Sequence, residues 1–286
     1  AIKIARTYGE SNFEKKRYKI ITLENSFHGR TITTVKATGQ SSFHQSKFAP
    51  YPDGFSFNAI DDVYNAIDDE TVAVMIELVQ GEGGVFPFDK EKIKELAKFL
   101  KENDILLIID EVQTGVFRTG EFLASNLYDI EPDIITLAKG IGGGVPMGAV
   151  MTKHKDIWTA GDHGSTFGGN YLVTAAALEV LDILENLKDS GTLDETIIYF
   201  TKKLNDIFEA NRDIFITHVG LGLMRGLRVK DADTLASLIK TAFEFGVMVL
   251  KSGNNTLRFL PALTISKSEI DEGFIRLQKA ITKIKS

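Results

Sequence analysis

Two short apolar runs, each ended by one ionisable side chain, constrain the fold of this chain more than any other feature. Ile105-Leu106-Leu107-Ile108-Ile109 runs into Asp110, and Ile134-Ile135-Thr136-Leu137-Ala138 runs into Lys139, with Gly140-Ile141-Gly142-Gly143-Gly144 behind it. Runs of this length, rich in β-branched residues and bounded by turn residues, read as buried strands of a parallel sheet. Such sheets bind ligands at the carboxyl ends of their strands. The spacing between Asp110 and Lys139 is that of one strand–helix–strand crossover, which directs both side chains toward one crevice. A buried carboxylate and a buried amine are costly unless they pair or act.

Three readings of that pair follow. Pyridoxal phosphate needs a lysine for its Schiff base and an acid that keeps its pyridine nitrogen protonated. An apolar run ending in Asp-Glu also occurs in nucleotide hydrolases, where the acid holds magnesium. A buried lysine–aspartate pair can also be purely structural. The hydrolase reading is disfavoured, because the chain contains no Gly-x-x-x-x-Gly-Lys-Ser/Thr loop.

At 286 residues the chain is long enough for more than one lobe. Its net charge is −6, with Lys and Arg scattered among the acids, so no basic stripe offers itself to nucleic acid. With no cysteine there are no disulfides, thiolate nucleophiles or cysteine-based zinc sites, which fits a reducing cytoplasm. No apolar stretch reaches membrane-spanning length. His28, His44, His154, His163 and His218 are too scattered for metal-ligand spacing, and no metal is expected. Ala1 to Arg6 reads as the middle of an amphipathic helix with no cap before it.

Further elements follow from periodicity. Arg17 to Leu23 reads as a strand, and residues 40–60 as a long surface excursion. Val72 to Val79 reads as a strand ending at Gln80-Gly81-Glu82-Gly83-Gly84. Asp89 is a good N-cap for a helix that places Ile93, Leu96, Ala97 and Leu100 on one face. After strands at 105–109, 134–138 and 147–151 comes a long helix from Leu172 to Leu187, with a boundary at Asp189-Ser190-Gly191. Beyond it lie a helix (194–210), strands (214–219 and 223–229), a helix (232–245), short strands (247–250 and 256–259) and a helix (266–284). The alternation predicts an α/β domain over 1–189 and an α+β domain over 190–286.

Several polar residues sit where they can act. Phe27 and Arg30 follow the first strand, placed to stack on a heteroaromatic ring and to grip a carboxylate, though either is equally at home in a core or a surface ion pair. Glu82 lies in a glycine turn that permits close backbone approach to a ligand, or it is a solvated loop acid. Gln113 follows Asp110 closely enough to reach the same ligand, or it is an ordinary helix-start residue. His163-Gly164-Ser165-Thr166-Phe167-Gly168-Gly169-Asn170 precedes the long helix, as an anion site or a simple cap. Arg258 lies in an apolar strand and needs an acidic partner there, from the protein or from a substrate.

Together Ser26 to Thr31 with Ala37 to Gln40, Gln80 to Gly84, Asp110 to Gly115, Leu137 to Ala149 and His163 to Asn170 resemble the class III pyridoxal-phosphate aminotransferases, in order along essentially the whole chain. The wording from Gly142 to Ala149 resembles the acetylornithine branch of that family more than the ornithine or 4-aminobutyrate branches. The resemblance implies a fold-type I transferase, with a mostly parallel central sheet covered by helices on both faces and a small C-terminal domain. It implies Lys139 as the Schiff-base lysine and proton shuttle, and Asp110 as the partner of the ring nitrogen. Gln113 would meet the ring hydroxyl, Phe27 would stack on the ring, and His28 would belong to the cofactor contacts. Thr166 would bind the phosphate of the partner subunit's cofactor, which implies a homodimer with shared sites. Arg30 would hold the α-carboxylate of N-acetylornithine, and Ser165 belongs to the substrate contacts. Arg258 would hold that of glutamate or 2-oxoglutarate, with Glu82 pairing it in the other half-reaction.

Two departures stand out. Tyr171 occupies the position where the family usually has proline after Asn170. The family's Ser-Gly-Ala/Thr-Glu-Ala-Asn phosphate turn should lie just before Ala1, with the segment that completes the small lobe. The expectation is that these 286 residues alone bind the cofactor poorly. A catalytically inert fragment is the rival reading.

Overall fold

The computed structural model describes residues 1–286. In chain order it contains α1 (Ile2–Ser11), β1 (Lys19–Leu23), α2 (Ile32–Ala37), β2 (Phe55–Asn58), α3 (Val63–Ala66), β3 (Thr71–Ile76), β4 (Val79–Gln80), β5 (Phe86–Pro87) and α4 (Lys90–Glu102). There follow β6 (Leu106–Asp110), α5 (Ala124–Leu127), β7 (Ile134–Leu137), β8 (Ala149–Thr152) and α6 (Tyr171–Asp189). The rest comprises α7 (Thr192–Ala210), β9 (Phe215–Leu221), β10 (Met224–Val229), α8 (Ala232–Glu244), β11 (Leu250–Ser252), β12 (Thr256–Phe259) and α9 (Lys267–Lys285). The chain divides into two compact units. The first comprises Ala1–Leu78, Phe88–Val116 and Leu123–Val180, and the second Val79–Pro87, Phe117–Phe122 and Leu181–Ser286.

The first unit is built on a six-stranded sheet in the order β2-β1-β3-β6-β7-β8. All neighbours are parallel except β8, which runs antiparallel to β7. Both faces are covered, which is why the strands read as continuous apolar runs rather than alternating ones. On one face Ile20, Ala73, Met75, Leu106, Ile108 and Ile134 pack with Ile4 and Ala5 of α1. On the other, Ile21, Val74, Ile76, Leu107 and Ile109 are equally buried. Asp89 caps α4 as expected, accepting from the Lys92 backbone N–H at 3.0 Å, and Ile93, Leu96 and Leu100 form its buried stripe.

Four expectations are corrected here. The strand begun at Val72 stops at Ile76, because Glu77 turns its carboxylate onto the Phe27 backbone N–H; Val79 belongs instead to a two-residue pairing with Pro87. The 40–60 excursion contains β2, an edge strand parallel to β1. The crossover between Asp110 and Lys139 holds only the single helical turn α5. The first strand of the last hairpin lies at Leu250–Ser252, not 247–250. Its register is set by a turn with Asn254 and Asn255 both at positive φ, closed by the Thr256 N–H donating to the Gly253 carbonyl at 3.2 Å. Three residues, Gly253 to Asn255, therefore separate the paired Ser252 and Thr256.

The second unit carries an antiparallel sheet in the order β11-β12-β10-β9. Phe200 of α7 and Phe274 of α9 meet Phe259 of β12 at ring separations of 6.2 Å each. Asp231 caps α8 through the Thr234 N–H at 2.7 Å, and Ser266 and Glu269 form a reciprocal capping box on α9.

Candidate active site

Asp110 ends β6 with its carboxylate buried, and three donors converge on it. Oδ1 accepts from the Val112 backbone N–H at 3.1 Å and from Thr136 Oγ1 at 3.0 Å, and Oδ2 lies 2.8 Å from His28 Nδ1. The sheet register explains the threonine, since Asp110 stands opposite Thr136 on β7. His28 arrives from the loop after β1, its backbone N–H tied to Thr38 Oγ1 at 3.0 Å. Burial opposes a charge on His28, but the hydrogen bond and charge of Asp110, with Glu77 nearby, outweigh it and raise its pKa above 6.5. The structure thus places His28 against the carboxylate, with its Nε2 buried and lacking a hydrogen-bond partner.

Lys139 leaves the end of the neighbouring strand, three residues beyond Thr136. It is exposed, which corrects the expectation of a buried amine. Its backbone is left-handed, at φ 48°, on a 3₁₀ turn that runs to Gly142. The following Gly143, at φ 57°, cannot carry a side chain, since a Cβ there would lie 2.4 Å from Val180 Cγ2. A lysine in so sparsely populated a conformation is the kind of strain that structures retain where the side chain has work to do.

Around this pair, the Phe27 ring meets Phe43 edge-on at 5.3 Å, and the Arg30 guanidinium lies 4.9 Å from the Phe43 ring and 5.4 Å from Phe27. Arg30 itself is exposed, and Gln113 is half-buried in the turn after β6. Ser165 and Thr166 are exposed and line a concavity of about 670 Å³ with Pro146, Met147, Gly148 and Phe167. The first amides of α6 are not open to an anion there. Asn170 Oδ1 takes the Leu172 and Val173 N–H groups at 3.1 and 3.2 Å, so the segment acts as a cap, and Thr166 offers a hydroxyl rather than a helix end.

In the second unit Arg258 is buried on β12. Its Nη1 donates to Glu82 Oε1 at 2.7 Å and to the Gly81 carbonyl at 2.9 Å. The Glu82 side chain is 35% exposed against 8% for the arginine, so the acid is the partner with room to move.

Two acids have parts that sequence reasoning did not assign. Glu77 accepts the Phe27 backbone N–H at 2.7 Å and so fixes the loop that delivers His28. Glu111 is buried and accepts from the Thr114 hydroxyl and from the Ala124 and Ser125 N–H groups at 3.1 and 2.8 Å, capping α5 from outside the helix. Burial raises its pKa against those bonds. The available signal was an acid following an apolar run; its acceptor role lay in non-local contacts.

A buried carboxylate held by three donors suits a cationic ring nitrogen, and an exposed amine one strand away suits a carbonyl carbon. Comparison with known proteins points the same way. A profile of the aminotransferase class-III family matches residues 1–281. The chain is 57% identical over 286 residues to acetylornithine aminotransferase of Wolinella succinogenes, covering 99% of this chain and 72% of that protein. It is 40% identical to succinylornithine transaminase of Salmonella paratyphi B, over 100% of this chain and 71% of that one. Among solved structures, ornithine aminotransferase of Toxoplasma gondii, described with partial occupancy of PLP at its active site, superposes with a TM-score of 0.90 at 30% identity, over 99% of this chain and 69% of that one.

Proposed function

The chain belongs to the aminotransferase class-III family, and from that premise we propose that it transfers the δ-amino group of N-acetylornithine to 2-oxoglutarate. The products are N-acetylglutamate semialdehyde and glutamate, and the setting is arginine biosynthesis in the cytoplasm. The observation that carries this reading is the Asp110 carboxylate, buried under three donors one strand from Lys139. The similarity to an acetylornithine enzyme over nearly the whole chain supports the choice of donor. No helix is long and apolar enough to cross a membrane.

Pyridoxal phosphate is the cofactor, and when bound it supplies an electron sink for charge that develops on the carbon bearing the amine. Asp110 would keep the ring nitrogen protonated, and His28, Val112 and Thr136 keep Asp110 in place for that task. Lys139 would hold the cofactor covalently through its side-chain amine, and the same amine would carry a proton to and from the substrate carbon. Phe27 would pack against the cofactor ring, and Gln113 would meet its hydroxyl. Arg30 takes the α-carboxylate of N-acetylornithine with Ser165 beside it, and Arg258 takes that of glutamate or 2-oxoglutarate. Glu82 neutralises Arg258 while the amine donor is bound and swings away for the 2-oxo acid. One enzyme thereby accepts two differently placed acids in alternating half-reactions.

Thr166 serves the phosphate of the partner subunit's cofactor, so the working species is a homodimer. The unit of Ala1–Leu78, Phe88–Val116 and Leu123–Val180 is the cofactor-binding domain, and the unit of Val79–Pro87, Phe117–Phe122 and Leu181–Ser286 is the small domain, in place of a single boundary at 189. The direct test is glutamate formation from 2-oxoglutarate with N-acetylornithine, N-succinylornithine, ornithine and 4-aminobutyrate supplied singly. N-acetylornithine gives the largest kcat/KM, and Lys139→Ala abolishes turnover with every donor. A larger kcat/KM for N-succinylornithine would reassign the donor, and turnover by Lys139→Ala would overturn the assigned chemistry.

A further inference from the structure

We propose that Ser252 and Asn254 are positioning residues for substrate selection: they lock the backbone of the Gly81–Gly84 turn, so that Glu82 can open and close on Arg258 only by side-chain rotation. The inference rests on the gating role of Glu82 and Arg258 proposed above.

Four consecutive residues of the turn are bonded to one hairpin. Ser252 Oγ donates to the Gly81 carbonyl at 2.7 Å and accepts from the Gly84 N–H at 2.9 Å, which uses its one hydrogen and a lone pair. The Gly253 N–H donates to the Glu82 carbonyl at 2.9 Å, and Asn254 Nδ2 donates to the Gly83 carbonyl at 2.9 Å. Arg258 Nη1 adds its own bond to the Gly81 carbonyl at 2.9 Å. The two backbones approach too closely for side chains. A Cβ on Gly84 would meet the Gly253 carbonyl oxygen at 2.9 Å, and one on Gly253 would meet the Glu82 oxygen at 2.9 Å.

The hairpin that grips the turn also carries Arg258. Ser252 ends β11, Asn254 makes the turn, and Arg258 lies on β12 opposite Leu250. One rigid element therefore holds both partners of the ion pair, the acid through its backbone and the arginine through its strand. A loop that moved bodily would have to break five hydrogen bonds for each exchange of substrate. Rotation of the Glu82 side chain breaks its 2.7 Å contact to Arg258 and leaves those five in place. The latch thus holds the acid in register with the arginine during the half-reaction in which the arginine has no substrate carboxylate to meet.

The test uses the holoenzyme with Ser252→Ala and Asn254→Gly. The glycine keeps the left-handed backbone found at Asn254 (φ 52°) while deleting its amide. Each variant is expected to raise KM for N-acetylornithine about fivefold, the worth of one neutral hydrogen bond, and to leave KM for 2-oxoglutarate within about twofold. Amide exchange in the peptide covering 79–87 accelerates in the same variants, a readout independent of turnover. An equal rise in both KM values, or faster exchange with an unchanged KM ratio, overturns the latch. Glu82→Gln is the control: if it leaves the KM ratio unmoved, the gate itself is refuted and the latch falls with it. If Glu82→Gln shifts the ratio and neither latch variant does, only the latch is lost.

Discussion

The strand-end positions of Asp110 and Lys139 were legible because each ends an apolar run with an ionisable side chain. What surrounds them was not legible. His28 reaches Asp110 from 82 positions away, and no local spacing encodes that contact. The contact has a pH signature. Because the folded pKa of His28 is raised above 6.5, the stability it contributes is fully present below that value and is lost as pH rises through the folded value. In the cofactor-free protein, His28→Gln should cost roughly 1–3 kcal/mol at pH 6, the range for unmaking a buried polar contact. The gap from the wild type should narrow steadily above about pH 6.5. Urea melts across pH 5.5 to 8.5 measure it. A gap that stays constant across the series would mean that His28 binds its proton equally well folded and unfolded, and a gap that narrows toward low pH would mean that it is neutral in the folded protein.

At the scale of elements, what local chemistry encodes was readable and what register encodes was not. The α4 helix was readable from Asp89 and its apolar stripe, and the sheet strands from their β-branched runs. β2 escaped because four residues, Phe55–Asn58, sit among glycines and prolines and gain their strand character only by pairing with β1. β11 was misplaced because the Asn254–Asn255 turn, rather than hydrophobicity, decides where pairing begins. The two acid caps separate these cases energetically. Asp89 is exposed and caps its own helix, so Asp89→Ala should cost about 1 kcal/mol. Glu111 is buried and serves three donors at once, so Glu111→Ala should cost more, on the order of 3 kcal/mol, by stranding the Ala124 and Ser125 amides. Chemical denaturation of both variants decides the order, and a larger loss for Asp89→Ala would refute the buried-cap account.

At the scale of the whole molecule, an apolar surface bears on the proposed dimer. Phe167 is 79% exposed, Tyr171 96% and Leu172 75%, all within the segment that carries Thr166. Monomers rarely leave such clusters in water, and a two-fold partner would cover this one by the same patch on its own surface. Residue spacing does not bear on a partner; the expectation of one comes through the resemblance and what it implies for Thr166. A complementation experiment tests the shared site. Lys139→Ala and Thr166→Val should each be nearly inactive alone. In a mixed dimer, if Thr166 serves the partner's cofactor, one site carries both defects and the other carries neither. Random reassortment then restores about a quarter of the wild-type activity, because half the dimers are mixed and each of those has one intact site. If Thr166 instead serves its own subunit, every mixed dimer keeps one defect in each site, and mixing the two variants restores nothing. Sedimentation of Leu172→Asp supplies the physical counterpart, since a charge placed on the covered patch should shift the protein toward monomer and lower its activity in the same concentration range.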